Sequence, residues 1–263
     1  MGKIGEQLGI DLVISTGDNF YDEGLKSVKD PLYKQSFTDI YTAKSLQKPW
    51  YAVLGNHDYL GSTGAQLSKE LRRADKRWHC ERNFLVKVKG LVDFIFVDTT
   101  PFVDKYFKNP KKQKFDWSGV LPRDKYISAV KESLDSTLRK SKATWKIVIA
   151  HHTIRSIGHH GDTLEVVEQI LPILEKNKVH MYINGHDHCL EHLSNADRKL
   201  QFLTSGGGSK AWKKDIHYGV HNDSLRFYYD GQGFLAVKLT RKSAKMEFYD
   251  VAGKVLHRMD LKP

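Results

Sequence analysis

Four short stretches of the chain gather side chains of the kinds that bind metal ions. Gly17-Asp18-Asn19-Phe20-Tyr21 offers a carboxylate and a phenol, and Gly55-Asn56-His57-Asp58 an amide and an imidazole. His151-His152 and Asn184-Gly185-His186-Asp187-His188 add further imidazoles. Taken together, Asp18, Tyr21, Asn56, His151, His186 and His188 mix oxygen with nitrogen donors, which suits first-row transition metals better than calcium or magnesium. One carboxylate can bridge two cations, and two cations about 3.5–4 Å apart can clamp the attacking and leaving oxygens of a phosphoryl displacement. Such ions also lower the pKa of bound water from about 15.7 toward about 7 in a zinc-type case. Hydrolysis of a phosphoester by metal-bound hydroxide then needs no protein nucleophile. Singly, each stretch has a plainer explanation: Gly-Asp and Asn-His-Asp are ordinary turn chemistry. His186-x-His188 says more, because alternate residues after a strand can face one cation. The joint occurrence of all four carries the inference.

Every one of these stretches follows an apolar run of strand length: residues 12–15, 51–54, 147–150 and 181–183. Aliphatic residues on successive positions predict strands buried on both faces. Between them, Tyr126, Ile127, Val130, Leu134 and Leu138 keep helical spacing, as do Val166, Val167, Ile170, Leu171 and Leu174. Strands alternating with helices predict an α/β architecture, in which loops at the carboxyl ends of neighbouring strands converge on one crevice. Residues 234–239, 245–249 and 255–259 are spaced as short strands joined by turns such as Ala252-Gly253 and predict a second sheet packed on the first.

The 263 residues, 40% of them hydrophobic, suit one domain spanning 1–263 with a sizeable core. The formal charge of +11 draws anions of many kinds and selects none of them. Its basic stretches at 108–114 and 139–146 are accompanied by no aromatic-interleaved RNA motif and read as solvated surface, so no nucleic-acid partner is required. Cys80 and Cys189 are too few for a disulfide scaffold and are not a C-x-x-C pair; bridged or free, they leave both states open. No apolar run approaches the length of a membrane span, and residues 1–9 lack the apolar run of an export signal. No membrane partner is expected. Asn222-Asp223-Ser224 is a glycosylation sequon that matters only on the secretory route. Oligomeric state and the physiological ester have no signal in the sequence.

Gly17-Asp18-x-x-Tyr21, Gly55-Asn56-His57-Asp58, Val148-x-x-His151 and Gly185-His186-x-His188 resemble four of the five motifs of the purple acid phosphatases, and the resemblance covers essentially the whole chain. Ser205-Gly206-Gly207-Gly208-Ser209-Lys210-Ala211-Trp212 and Phe227-Tyr228-Tyr229-Asp230-Gly231-Gln232-Gly233 resemble the small, plant-type, tartrate-resistant-like members. The resemblance implies a four-layered α/β/β/α sandwich of the calcineurin-like metallophosphoesterase kind. It also implies hydrolysis of phosphate monoesters at acidic pH by a centre of Fe3+ and a divalent ion: Fe2+, Zn2+ or Mn2+. Carried onto this sequence, Asp18 bridges the ions, Tyr21 and His188 hold the ferric one, and Asn56, His151 and His186 hold the divalent one. His57, and His160 within Ser156-Ile157-Gly158-His159-His160-Gly161, match histidines that contact phosphate or assist the leaving group, a role that a protonated imidazole fills at acidic pH. Tyr21 sets this family apart from the wider metallophosphoesterases, because a phenolate, with a free pKa of about 10, needs a strongly acidic cation such as ferric iron. Its charge transfer to that iron gives the family its colour. His152, His159 and His192 beside the matched positions read as structural, Asp58 as orienting His57 or its loop, and residues 102–120 as a lid or mobile surface. Members of this kind are secreted or vacuolar.

Three rival readings are open: a non-catalytic descendant that binds phosphate or one metal, a nucleic-acid or acidic-partner binder driven by the +11 charge, and a phosphodiesterase, against which Tyr21 argues. The family's first motif, Asp-x-Gly on an inner strand, would precede the segment like residues 1–9, where Met1, Ile4 and Leu8 read as the stripe of the following helix; it has no counterpart in the sequence. On that expectation the N-terminal strand and one ferric-site carboxylate are missing, and iron affinity and hydrolysis fall. Metal analysis and phosphatase assay of this chain beside one extended upstream by such a strand check the expectation, and equal iron content and turnover would refute it.

Overall fold

A computed structural model of the chain describes residues 1–108, 114–194, 197, 199–217 and 219–263. Its thirteen strands are β1 (Val13–Ser15), β2 (Trp50–Ala52), β3 (Trp78–Cys80), β4 (Phe84–Val88), β5 (Val92–Phe96), β6 (Trp145–Ile149), β7 (Met181–Asn184), β8 (Leu190–Ser194), β9 (Gln201–Ser205), β10 (Leu225–Tyr229), β11 (Gly233–Leu239), β12 (Ala244–Asp250) and β13 (Val255–Leu261). They form a seven-stranded sheet ordered β10-β8-β9-β7-β6-β5-β4 and two three-stranded sheets, β1-β2-β3 and β11-β12-β13. Strands β5, β6, β7 and β9 run parallel to one another, whereas β4, β8 and β10 pair antiparallel. The small β1-β2-β3 sheet is also parallel. Among the described residues β1 pairs with β2 alone.

Side chains alternate across each strand, so the two faces of the large sheet build two different cores. Ile95, Val148, Tyr182 and Phe202 point one way, onto Ile127, Val130, Leu134 and Leu138 of the helix Arg123–Lys140 and onto Val166, Ile170 and Leu174. Phe94, Phe96, Ile147, Ile149, Met181 and Ile183 point the other way, onto Val53 and onto Met246 and Phe248 of β12. The outer face of the β1-β2-β3 sheet, with Val13, Trp50 and Trp78, is covered by Phe20, Tyr33, Phe37 and Leu71. Four layers result, helix, sheet, sheet, helix, as expected.

Two details depart from the sequence reading. The helical pattern from Val166 to Leu174 is two helices, Leu164–Gln169 and Leu171–Lys176. Pro172 has no N–H to donate and its ring crowds the preceding turn, so the backbone breaks at Ile170. The second sheet is itself divided, its parallel and antiparallel halves of three strands each coming from opposite ends of the chain. Cys80 and Cys189 are buried free thiols. Arg139, Lys140 and Lys142 are exposed, in keeping with solvated surface, whereas residues 109–113 of the other basic stretch lie outside the described residues.

Phe248 is wholly buried between the sheets. Truncating such a ring forfeits its transfer energy and leaves a cavity that rigid strands cannot close, so Phe248→Ala is expected to cost about 3–5 kcal/mol. Urea denaturation of both proteins checks this.

Candidate metal centre

The four motif loops leave β1, β2, β6 and β7 at their carboxyl ends, two from each of two sheets, and meet at the seam between them. Close approach there depends on glycine. A Cβ on Gly55 would stand 2.2 Å from Asp18 Oδ1, and one on Gly17 would stand 2.6 Å from His151 Nδ1. Asp18 and His186 both adopt left-handed backbone, with φ of 52° and 66°. Such conformations carry strain in residues other than glycine and persist where the surroundings hold them.

The six predicted donors come together. Asp18 Oδ2 lies 3.1 Å from Tyr21 Oη and 3.3 Å from His151 Nε2. Tyr21 Oη is 3.0 Å from His188 Nε2. His151 Nε2 is also 3.1 Å from Asn56 Oδ1 and 3.2 Å from His186 Nδ1. Asp18, His151, His186 and His188 are all buried.

His151 is the meeting point of these contacts. Its Nδ1 faces the Thr16 carbonyl at 2.8 Å, which can only accept, so Nδ1 carries the hydrogen. Its Nε2 then faces Asp18 Oδ2, Asn56 Oδ1 and His186 Nδ1 together. One metal ion could accept from all four, and an imidazole whose other nitrogen donates to a backbone carbonyl is the usual form of a metal-binding histidine. Burial alone would lower the His151 pKa, yet the Asp18 carboxylate beside it raises it above the ordinary value. Burial likewise pushes Asp18 up, but His151 and His57 outweigh that and hold it well below the carboxylate range. Burial and the Asp18 charge push the Tyr21 phenol far up, so the side chain needs a strong cation to become a phenolate.

The histidines expected at the phosphate flank the same pocket, a cavity of about 440 Å³. His57 donates its backbone N–H to Asp18 Oδ1 at 2.8 Å and holds the Asp22 carbonyl with Nδ1 at 2.5 Å, leaving Nε2 for the pocket. His160 stacks on His186 with centroids 4.0 Å apart, its outer edge open. Desolvation against its neighbours, followed by the Lys105 ammonium, holds its pKa below the ordinary imidazole range.

Of the structural readings, His152 and His192 keep theirs. Both His152 nitrogens are engaged, by Thr99 and Tyr106 at 3.0 Å each, although the ring lies within the His151, His152 and His186 cluster. His192 bonds His257 and Gln201 away from the site. His159 is a correction: it lines the pocket, with Nδ1 on Asp215 at 2.5 Å. Asp58 holds loops together, accepting from the backbone N–H groups of Asn19, Phe20 and Gly55 and from Gln66. Of residues 102–120, Lys105, Tyr106 and Phe115 border the pocket. Trp212, which lies flat on His188 at 4.0 Å, had no motif of its own and only its family-like Gly-rich segment as a signal. Lys210, from that same segment, sits 4.6 Å over the Tyr21 ring and pairs with Asp22 at 2.9 Å.

Comparison with known proteins agrees with this geometry. Residues 1–190 match the family model for calcineurin-like phosphoesterase. Purple acid phosphatase 3 of Arabidopsis thaliana is 61% identical over 258 residues, covering 98% of this chain and 70% of that protein. Tartrate-resistant acid phosphatase type 5 of Homo sapiens is 29% identical over 270 residues, covering 97% and 80%. Among solved structures, GAP50, the anchor in the inner membrane complex of Plasmodium, superposes with a TM-score of 0.80 at 24% identity, covering 99% of this chain and 81% of its own. A purple acid phosphatase from yellow lupin seeds gives 0.67 at 16%, covering 99% and 48%. At such identities these two structures speak to the fold.

Behind the site, burial pushes the Glu191 carboxyl up to about 8 from its ordinary 4.5. The folded state therefore favours the protonated acid, and its contribution is complete below pH 4.5 and lost as pH rises through about 8. Glu191→Gln, which stays neutral, is expected to flatten the fall of melting temperature across that window, as thermal scans at several pH values will show.

Proposed function

We propose, for a chain that belongs to the purple acid phosphatases within the calcineurin-like phosphoesterase family and hydrolyses phosphate monoesters at a dinuclear metal centre, that Asp18, Tyr21, Asn56, His151, His186 and His188 are the metal ligands. The observation that supports this best is the convergence of Asp18, Asn56 and His186 on His151 Nε2, with Tyr21 Oη between Asp18 and His188. Asp18 has Tyr21 and His188 on one side and Asn56, His151 and His186 on the other, so it is the residue suited to bridge. Tyr21 and His188 would hold Fe3+, and Asn56, His151 and His186 the divalent ion, Fe2+, Zn2+ or Mn2+. Bound there, the ions would supply Lewis acidity to the phosphoryl oxygens and to the attacking water.

The chain's own residues do the rest. Lys105 and the overall positive charge draw the anionic ester into the pocket. His57 Nε2, oriented through Nδ1, donates a hydrogen bond to a phosphoryl oxygen. His160 meets the ester from the other wall; the phosphate's negative charge raises its pKa, so that the protonated ring passes a proton to the departing oxygen. Asp187 and Asp58, both buried, fix the loops that carry these two rings. Small phosphate monoesters are the substrates, with no nucleic acid or membrane needed, and the acidic working range fits a secreted or vacuolar setting as in the family.

Chelation is expected to abolish hydrolysis and readdition of metal to restore it, with metal content measured in parallel. The loaded protein should absorb visible light, and Tyr21→Phe should remove that band while leaving some hydrolysis. A colourless iron-loaded parent would overturn the ferric assignment, and His151→Ala with undiminished metal content would overturn the ligand set.

A further inference from the structure

The connection that follows β7 alternates in purpose. His186 and His188 face the other donors, and Asp187 between them points the opposite way, toward the loop bearing His160. Asp187 Oδ1 accepts the His160 backbone N–H at 2.7 Å, and Oδ2 accepts the Ser156 hydroxyl at 2.5 Å. That hydroxyl in turn receives the Gly158 N–H at 2.9 Å. Four residues along, Glu191 Oε1 accepts the Ile157 N–H at 2.8 Å. Asp187, Glu191 and Ser156 have 0%, 0% and 1% of their surface exposed, so water cannot replace these bonds. The loop also lies directly on Asp187: a Cβ on Gly158 would stand 2.8 Å from Asp187 Cγ.

We propose that Asp187 and Glu191 are positioning residues for His160, gripping the backbone of residues 156–160 so that its imidazole stays stacked on His186 and aimed at the leaving oxygen. This rests on the reading of His160 given above. In the step it serves, water adds to phosphorus and releases a proton to solvent, while the breaking P–O bond leaves its electron pair on the departing oxygen, which takes the His160 proton, and solvent then returns a proton to His160. A buried carboxyl that merely stabilised the fold would not distinguish one leaving group from another. One that aims the acid would.

The test compares glycerol 2-phosphate, whose alkoxide leaves poorly, with p-nitrophenyl phosphate, whose phenolate leaves readily, in metal-loaded protein with metal content measured for every variant. His160→Ala is expected to lose about 100-fold in kcat on the first and under about 10-fold on the second. Glu191→Ala should show the same bias, about 10-fold against about 2-fold, with Glu191→Gln, which keeps an acceptor for Ile157, within about threefold of the parent on both. Added to His160→Ala, Glu191→Ala should cost less than about twofold more. Ser156→Ala, which removes the linking hydroxyl and no charge, carries the same test should Glu191→Ala fail to fold. Equal losses on the two substrates, or full additivity with His160→Ala, overturn the positioning role. Absence of leaving-group bias in His160→Ala itself overturns the reading of His160 and this proposal with it, a result distinct from the other two.

Discussion

The structure is organised around six oxygen and nitrogen donors drawn together in a buried seam. Asp18 Oδ2, Tyr21 Oη, Asn56 Oδ1 and three imidazole nitrogens form a chain of contacts, each atom within about hydrogen-bond distance of the next. Polar atoms so buried must each find a partner, and a cation among them would serve several at once. That requirement explains features of backbone as well as of chemistry. Gly17 and Gly55 lack side chains because three loops must nearly touch, and Asp18 and His186 sit in left-handed conformations because the donors must turn inward within two or three residues of a strand end.

Around that centre a second ring of buried carboxylates does mechanical work. Asp58 joins the loop after β1 to the loop after β2, and Asp187 and Glu191 join the loop after β7 to the loop after β6. Asp58 accepts three backbone N–H groups and Asp187 and Glu191 one each, which is how an irregular loop keeps its polar atoms satisfied without a strand partner. Catalytic groups on loops are thereby held nearly as firmly as if they stood on the sheet.

Much of this was legible in the residue order, and for a definite reason. Strands β1, β2, β6 and β7 end in the motifs, so apolar run and donor cluster reinforced each other there. Strands β3 to β5 and β8 to β10 have no such punctuation, and the wholly buried β5 shows no alternation to betray it. The break at Ile170 was written in Pro172 but masked by good helical spacing on both sides. Within the site, the ligand-type residues were found because their chemistry is narrow. His159, Trp212, Lys105 and Asp187 escaped or were taken as bland because each depends on a contact made across the fold, His159 with Asp215 and Trp212 with His188, which spacing along the chain does not encode.

The donors on Asp18, Tyr21 and Asn56 hang from one sheet and those on His151, His186 and His188 from another. An ion shared between the two sets is therefore a rivet across the interlayer seam, and its occupancy is linked by mass action to the cohesion of the whole molecule. A thousandfold excess over the dissociation constant adds about 4 kcal/mol to folding, an increment comparable to a large part of the stability of an ordinary domain. Scarcity of metal in the surroundings would then act on this protein twice, silencing the reaction and loosening the two halves that frame it.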